Sequence, residues 1–480
     1  MAAGDRVVIV GGGLTGLSAA HRIAERAKAE RRAIEIVVME AKNRVGGAIW
    51  TDRRDGFTLE GGADSFITNK PQGVELCKAL GLGGQIIGTD THHRRSFVVR
   101  RGRLMPVPEG FVLMAPGKIG SILTTPILSW RGKLRVLMDL FLPRKADDTD
   151  ESLASFARRR LGREAFDRLI QPLVSGIYTA DPADLSLKAT LPQFPAMERS
   201  HRSLILAARR QARGSDRAAS GARYGLFATL ADGMETLPRA LAASLPAGTV
   251  RTEAAVRRIA RAEPGGLWRV ERLDAPPIEA RGVLLTTEAH VSARLVDGID
   301  PDLALRLRSI PYASSVVVQL GYNRDRVAHP LDGFGAVVPA IEDRPLLAVS
   351  FTSVKFPGRA PAGTVLLRAF IGGATRPDLF ERDDEAIVGL VRRELAELIG
   401  ASGEPLLIKV DRHPRGMPQY TLGHLDRVAE VRRLAARHPS LHLAGNAFDG
   451  VGIPDCIRSG YDAADAFLAT LAGRSATAAA

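Results

Sequence analysis

The chain has 480 residues, too many for one hydrophobic core and enough for two or three domains of ~100–200 residues each. Apolar residues make up 45% and charged residues 25%, which excludes a disordered chain, while two cysteines, Cys77 and Cys456, exclude a disulfide framework or a cysteine metal cluster. The 66 basic and 53 acidic residues leave a formal net charge of +13, which fits an anionic substrate or membrane surface but also ordinary solvated basic faces.

The N-terminal segment predicts a dinucleotide-binding βαβ unit. A short β-branched strand, residues 6–10, leads into a G-x-G-x-x-G turn and then a helix over residues 17–31. The three glycines of such a turn permit a tight bend, a close approach to a pyrophosphate, and close packing of helix on strand. The helix N-terminus offers free N–H groups to the phosphates. The cofactor-binding residues predicted here are Gly11, Gly13, Leu14, Thr15 and Gly16.

A second strand, residues 34–39, ends at Glu40, whose carboxylate can accept hydrogen bonds from ribose hydroxyls. The glycine turn alone also fits an ordinary loop, whereas its combination with Glu40 favours a bound dinucleotide. The spacing Glu40-x-x-x-Arg44-x-Gly46-Gly47 resembles the paired-glycine motif of FAD-dependent amine-oxidase-like proteins, which favours non-covalent FAD over NAD. Further cofactor-binding residues predicted from this motif, and from a following stretch that resembles the family's isoalloxazine segment, are Glu40, Ala41, Arg44, Gly46, Gly47, Gly62, Ala63 and Asp64.

The middle of the chain predicts a helical, arginine-rich region over residues 118–213, followed by strands near 283–287, 315–322, 346–351 and 364–371 and a helix over 383–399. Near the C-terminus, a strand, a glycine loop and a helix beginning near Asp455 predict a second helix N-terminus at the flavin. The alternative is a strand–turn–helix without a ligand. The cofactor-binding residues predicted here are Gly445, Asn446, Val451, Gly452 and Ile453.

Several stretches together resemble the protoporphyrinogen/coproporphyrinogen oxidase family, in its bacterial form, from about residue 6 to residue 470. They are Gly450-Val451-Gly452-x-x-Asp455-Cys456-Ile457, Pro172-Leu173-Val174-Ser175-Gly176-Ile177-Tyr178, Leu185-Ser186, His201-Arg202-Ser203-Leu204-Ile205-Leu206 and Pro418-Gln419-Tyr420-x-x-Gly423-His424. The resemblance implies an α/β fold, α+β overall. We expect a discontinuous Rossmann-like FAD-binding domain of the amine-oxidase-like type (1–85, 225–295 and 412–475), a substrate-binding domain (86–115 and 296–411) and a helical membrane-associated domain (116–224).

The same resemblance implies an FAD-dependent oxidoreductase that converts a porphyrinogen into a porphyrin by removing six electrons, two in each round, with O2 reduced to H2O2. It implies that the backbone of Gly176 lies beside the flavin and the substrate, and that Val337 and Phe356 contact the tetrapyrrole. The alternative for Val337 and Phe356 is an ordinary role in the core of a sheet. Val256 matches a backbone position that contacts the adenine.

The substrate itself stays open between protoporphyrinogen IX and coproporphyrinogen III. Ser96 stands where many relatives carry an arginine that binds a propionate, and Arg94 and Arg95 precede it as candidate anchors. Two rival functions remain: an amine or carotenoid oxidoreductase, and an FAD-binding protein that only presents a surface to a membrane or partner.

A location in the cytoplasm is expected, because residues 1–5 lead directly into a strand and resemble no signal peptide. Peripheral attachment to the inner face of the cell membrane is a further hypothesis, based on a basic apolar surface within residues 118–213. Its predicted members are Ile119, Ile122, Leu123, Ile127, Leu128, Trp130, Arg131, Lys133 and Arg135. Candidate partners are the tetrapyrrole, O2, an anionic membrane and a second copy of the chain; we expect neither nucleic acid nor a bound metal.

Overall fold

The computed structural model describes residues 5–93, 95–214, 227–262 and 266–478. Its strands are β1 Arg6–Val10, β2 Glu35–Met39, β3 Thr51–Arg54, β4 Phe57–Glu60, β5 Phe66–Ile67, β6 Ile86–Gly88, β7 Phe97–Arg100, β8 Arg103–Pro106, β9 Phe111–Val112, β10 Ala115–Pro116, β11 Phe227–Leu230, β12 Val250–Arg251, β13 Val256–Ala262, β14 Leu267–Arg272, β15 Ile278–Ala280, β16 Gly282–Leu285, β17 Tyr312–Asn323, β18 Gly335–Val337, β19 Leu346–Phe351, β20 Thr364–Gly372, β21 Leu407–Pro418 and β22 Leu441–Leu443. Its helices are α1 Leu14–Ala29, α2 Gln72–Ala79, α3 Ile119–Thr124, α4 Trp130–Leu137, α5 Leu153–Leu161, α6 Arg163–Ala165, α7 Gln171–Tyr178, α8 Leu187–Thr190, α9 Gln193–His201, α10 Leu204–Gly214, α11 Thr236–Ser244, α12 Ala289–Val296, α13 Pro301–Arg308, α14 Thr352–Lys355, α15 Asp384–Ile399, α16 His424–Ala435 and α17 Ile453–Ala478.

A five-stranded parallel sheet forms the first part of the molecule, in the order β12-β2-β1-β16-β22. Both of its faces are covered, which explains why β1 and β2 are almost uniformly apolar. Helices α1, α11 and α17 pack on one face, and α12, α13, α16 and the β13-β14-β15 sheet pack on the other. A Cβ atom on Gly460 would lie 2.4 Å from the Thr15 carbonyl oxygen, so α17 can approach α1 this closely only through glycine.

A seven-stranded sheet of mixed direction forms the second part, in the order β21-β17-β20-β19-β18-β7-β8. Helix α15 covers one face through Ile387, Val391 and Leu395. Strand β18 joins this sheet to the N-terminal half of the chain, because Val337 pairs with Val98 of β7 in parallel register. The predicted domain boundary at 411–412 falls inside strand β21. The division of the chain into domains stays a prediction.

Helices α3–α10 form the third part and share a core of their own. A buried ion pair lies within it: Arg160 donates to the Asp139 carboxylate at 2.7 Å, and neither side chain has solvent-exposed surface. Ser203 donates to the other Asp139 oxygen at 2.6 Å, and Arg160 also donates to the carbonyls of Pro143 and Arg202. The mixed helix and sheet fold that the sequence predicted is therefore confirmed, whereas its label of membrane-associated domain stays a prediction.

Of the nine residues predicted for the basic apolar surface, four are buried, and for those four the prediction is wrong. Ile122, Ile127 and Leu128 are buried in the helical core, and Lys133 is buried beside the Trp130 ring, because the Ile122 side of α3 and the loop before α4 pack inward. Leu123 and Trp130 are exposed, as predicted. Trp130, Leu134, Met138 and Phe141 are all exposed and follow helical spacing along one outer edge. We call these four residues the apolar ridge. Within the described ranges, none of the helices combines the length and apolar character that crossing a bilayer would need.

Candidate active site

The carboxyl ends of β1, β16 and β22 meet at one edge of the parallel sheet, the edge where such sheets bind ligands. Thr286 follows β16, and its hydroxyl contacts the carbonyl oxygens of Val10 and Gly11 at 3.0 Å each. A Cβ on Gly445, the second residue after β22, would lie 3.9 Å from the Thr286 carbonyl oxygen. Thus the N-terminal and C-terminal glycine loops, more than 400 residues apart in the chain, lie against the same threonine.

The two N-terminal glycine motifs form one cradle. Gly46 donates its N–H to the Gly12 carbonyl at 2.9 Å, and a Cβ on Gly47 would lie 3.1 Å from the Gly13 Cα. Gly11 has a φ of +111° and a Cβ on Gly16 would clash with the Gly11 oxygen, so both positions require glycine. Helix α1 begins directly behind the cradle, and its N-cap, Gly13, has no side chain to satisfy the first N–H groups. A pyrophosphate would supply the missing acceptors.

Glu40 closes one end of this cradle, as predicted from its place after β2. Its carboxylate accepts the Gly12 N–H at 2.8 Å and the Lys42 N–H at 2.9 Å, and the side chain is buried. Each carboxylate oxygen keeps a free lone pair for a ribose hydroxyl. The backbone of Ala254 donates to the Glu40 carbonyl at 2.8 Å, which brings Val256, predicted at the adenine, to this end of the site.

Arg44 lies beside the cradle but holds its own loop. Its guanidinium donates to the carbonyls of Val45, Gly47 and Ile49 at 3.0–3.3 Å and stacks 4.7 Å from the Trp50 ring centroid. Its predicted contact with the pyrophosphate stays a prediction. Ala41 lies between Glu40 and Lys42 and is exposed.

The Gly62–Asp64 segment carries two cations that sequence reasoning missed. Lys355 lies 3.0 Å from the Asp64 carboxylate, and Arg368 donates to the Gly62 carbonyl. Burial alone would raise the pKa of Asp64, but Lys355 and Arg368 lower it well below its ordinary value, so the carboxylate is ionised. The side chain of Arg368 is buried. A negatively charged ring placed along this segment would therefore meet positive charge.

The C-terminal loop and the start of α17 contain the other predicted flavin contacts. Gly445 donates its N–H to the Ser459 hydroxyl at 3.0 Å. Gly450 has a φ of +130°, and a Cβ on it would lie 2.5 Å from the Asp455 carboxyl carbon. Lys70 lies 2.7 Å from both Asp455 oxygens. Asp455 is thus paired at the first turn of α17 and fixes the loop that precedes it. The remaining members of this loop, Asn446, Val451, Gly452 and Ile453, lie between these fixed points.

Gly176 and Val337 are brought together by the fold. Gly176 lies in the last turn of α7 and is exposed, and a Cβ placed on it would lie 3.3 Å from Val337 Cγ1. Carbonyl groups in a last helical turn lack i+4 partners, so this turn presents acceptors next to an apolar side chain. Phe356 is fully buried, with Lys355 Nζ 4.9 Å from its ring centroid. Its contact with a substrate stays a prediction and would require the ring to move.

Arg95, one candidate propionate anchor, precedes β7, the strand that pairs with β18 and Val337. Arg95 is more than half exposed, and its guanidinium lies 3.2 Å from Asp332. The Arg95 carbonyl accepts the Phe334 N–H at 2.9 Å, which holds it against the strand that carries Val337. Arg94 lies outside the described residues.

The comparisons with known proteins agree with this geometry. The family model of the flavin-containing amine oxidoreductases matches residues 14–468. The chain belongs to this family. It is 35% identical to the coproporphyrinogen III oxidase of Bacillus subtilis (strain 168), over 95% of the chain and 96% of that protein. It is 30% identical to the chloroplastic protoporphyrinogen oxidase 1 of Arabidopsis thaliana, over 95% of the chain and 87% of that protein.

Solved structures show the same fold. A protein from Exiguobacterium sp. 255-15 superposes with a TM-score of 0.84 at 33% identity, covering 96% of this chain and 98% of the other. Putrescine oxidase matches with a TM-score of 0.69 at 18% identity, covering 97% and 99% of the two chains, and this shows the fold alone. The predicted family resemblance and the predicted FAD cofactor are confirmed. The protein is an FAD-dependent oxidoreductase, and the uncapped α1 N-terminus, the glycine cradle and Glu40 fit that dinucleotide.

Proposed function

We propose that the protein oxidises a porphyrinogen to a porphyrin in haem biosynthesis, with coproporphyrinogen III as its preferred substrate and O2 as the electron acceptor. The observation that carries the proposal is the apposition of Gly176 and Val337, where a Cβ on Gly176 would lie 3.3 Å from Val337 Cγ1. We propose that the slot for the tetrapyrrole lies here, bordered by the backbone acceptors of the last turn of α7. The bacterial relatives at 32–35% identity bear the name coproporphyrinogen III oxidase. The plant relatives, named protoporphyrinogen oxidase, are 27–30% identical.

The residues of the chain provide orientation and charge. FAD, when bound, supplies the two-electron oxidation in each round. The Gly176 turn accepts hydrogen bonds from ring N–H groups and so sets the face of the tetrapyrrole that is oxidised. Val337 excludes water from that face. Lys355, Arg368 and the N-terminus of α17 would stabilise negative charge on FAD when it is bound, because they lie against the Gly62–Asp64 segment and the C-terminal loop.

The preference for coproporphyrinogen III follows from charge. This porphyrinogen carries four propionates, twice as many as protoporphyrinogen IX, so each added cation at the rim of the slot favours it. We propose that Arg95, with Arg94 before it, binds one propionate by exchanging its contact with Asp332 for the substrate carboxylate. A planar guanidinium suits a carboxylate because it can donate two parallel hydrogen bonds.

Peripheral attachment to an anionic membrane is the second part of the proposal. The apolar ridge is exposed, and Trp130 and Phe141 expose 70% and 79% of their surface. Exposed arginines border it, including Arg131, Arg144 and Arg202. Apolar side chains flanked by cations bind the headgroup layer of anionic lipids without crossing it.

Steady-state oxidation of the two porphyrinogens, measured side by side through porphyrin fluorescence, tests the proposed function. We expect kcat/KM for coproporphyrinogen III to exceed that for protoporphyrinogen IX about 10-fold, a difference of ~1.4 kcal/mol. If the protein oxidises simple amines and turns over neither porphyrinogen, the result would favour the rival function, an amine oxidoreductase.

The same assay tests the anchor. Arg95→Ala should raise KM for coproporphyrinogen III and leave kcat nearly unchanged, because the contact is equal in the ground and transition states. Arg103→Ala, on the exposed side of the same hairpin, is the matched control. Equal KM values for the two variants would exclude Arg95 as an anchor.

A further inference from the structure

The P-Q-Y-x-x-G-H segment, residues 418–424, has no part in the site described so far. It lies where β21 ends and α16 begins, between the helical region and the C-terminal glycine loop. Thr421 forms a β-bridge with Leu185, and the Tyr420 carbonyl accepts the Ser186 N–H at 2.8 Å. The segment is thus held against the helical region by its backbone, which leaves the side chains of Gln419 and Tyr420 to reach elsewhere.

The Tyr420 hydroxyl closes the C-terminal loop. It donates to the Asn446 carbonyl at 2.6 Å and accepts the Gly450 N–H at 2.8 Å, and the side chain is only 3% exposed. The Tyr420 ring stacks on the buried His424 ring, with centroids 3.9 Å apart. His424 Nε2 donates to the Phe448 carbonyl at 3.2 Å, inside the same loop. Two stacked side chains therefore hold three backbone groups of a single five-residue turn.

Gln419 reaches in the opposite direction. Its side-chain amide donates to the Tyr178 carbonyl at 3.3 Å, at the end of α7 and two residues beyond Gly176. The Gln419 side chain is buried and also donates to the Met417 carbonyl at 3.1 Å. Adjacent side chains on one backbone segment thus contact the Gly176 turn on one side and the C-terminal glycine loop on the other.

We propose that Tyr420 and Gln419 are positioning residues. Tyr420 holds the C-terminal glycine loop, Gln419 holds the Gly176 turn that faces the substrate, and together they fix where the two lie relative to each other. For the substrate side this inference rests on the proposed function. A change at Tyr420 should affect cofactor retention, because Tyr420 contacts the C-terminal glycine loop. A change at Gln419 should affect turnover, because Gln419 contacts the Gly176 turn.

Tyr420→Phe keeps the ring that stacks on His424 and removes only the hydroxyl. The half-buried Gly450 N–H then loses its acceptor, so we expect FAD to leave the purified holoenzyme about 10-fold faster, with a changed visible flavin spectrum. Tyr322→Phe is the matched control, since the Tyr322 hydroxyl is buried in the seven-stranded sheet beside Arg392. Gln419→Met should lower kcat about 10-fold, with KM and the rate of FAD release within twofold of wild type.

Equal rates of FAD release and identical flavin spectra for Tyr420→Phe and Tyr322→Phe would overturn the role of Tyr420. An unchanged kcat in Gln419→Met would overturn the role of Gln419. FAD release is measured without substrate, so faster release from Tyr420→Phe supports its role even if the wild-type protein oxidises no porphyrinogen, a result that would contradict only the proposed function.

Discussion

Individual side chains around the glycine cradle decide how tightly the cofactor is held. Glu40 combines two such contacts in one side chain: its carboxylate accepts two backbone N–H groups and has lone pairs left for a ribose. The sequence predicts the position of Glu40, because an acid at the end of the second strand has a fixed place in a βαβ unit, and its contact with a ribose stays a prediction.

Replacing Glu40 with alanine should weaken FAD binding at least ~10-fold. The variant loses charge-assisted hydrogen bonds worth roughly 1.5–3 kcal/mol each and leaves the Gly12 N–H without its acceptor. Titration of apoprotein with FAD, followed by flavin fluorescence, measures the change. Glu35→Ala is the control, since Glu35 lies on the same strand but makes an exposed ion pair with Arg6. Similar FAD affinities for the two variants would show that Glu40 does not hold the cofactor.

Gly176→Ala tests the apposition of α7 and β18. The added methyl group would lie 3.3 Å from Val337, at the border of the slot, so we expect a higher KM and a lower kcat. Thermal stability should hold or rise slightly, because alanine favours a helix by ~1 kcal/mol over glycine. Adding Val337→Ala to Gly176→Ala should restore part of the activity, because the smaller side chain at residue 337 makes room for the added methyl group. Activity that falls further in the double variant would contradict this apposition.

Other residues of the site could not be predicted from the sequence. Lys355 and Arg368 meet the Gly62–Asp64 segment only because the seven-stranded sheet folds back onto it, about 300 positions away in the chain. Thr286 lies inside the strand predicted over residues 283–287, near the carboxyl end that reaches the ligand edge of the sheet, so the sequence placed it close to the site without marking it as a site residue. Phe356 was predicted from the family resemblance as a substrate contact, with a role in the core as the alternative; its side chain is fully buried, and the substrate contact stays a prediction.

Elements with a clear period were predicted well. Strand β19 matches its predicted range, and α15 begins at Asp384, one residue after its predicted start, because Asp383 caps it. Helix α1 begins three residues earlier than predicted, because the glycine turn itself supplies the N-cap. In the helical region, apolar runs gave no sign of which face would be buried, so residues such as Ile122 and Leu128 were taken for surface.

The helical region should depend on its buried ion pair. Arg160→Met leaves the Asp139 carboxylate buried with Ser203 and a backbone N–H as its remaining partners, which should cost about 3–5 kcal/mol. Calorimetric unfolding of the holoenzyme measures the loss. Arg163→Ala is the control, because the Arg163 side chain is 87% exposed in an i,i+4 pair worth little. A melting temperature equal to that of the control would mean that the pair adds no stability.

The molecule as a whole carries a formal charge of +13, and its helical region exposes the apolar ridge. If the apolar ridge docks on membranes, wild-type protein should sediment with anionic vesicles, less so in high salt and hardly at all with neutral vesicles. The double variant Trp130→Ala/Phe141→Ala should lose this binding. Leu305→Ala, at an exposed apolar residue of α13, should not. Equal binding to neutral and anionic vesicles would remove the electrostatic argument.

We infer that FAD bound in this fold takes electrons from a porphyrinogen. Mixing the purified holoenzyme with coproporphyrinogen III without oxygen should bleach the visible flavin absorbance, because two electrons pass to the cofactor. Admitting O2 should restore the flavin spectrum and yield coproporphyrin III, with three O2 consumed for each porphyrin formed. A flavin that stays oxidised with both coproporphyrinogen III and protoporphyrinogen IX would contradict the claim.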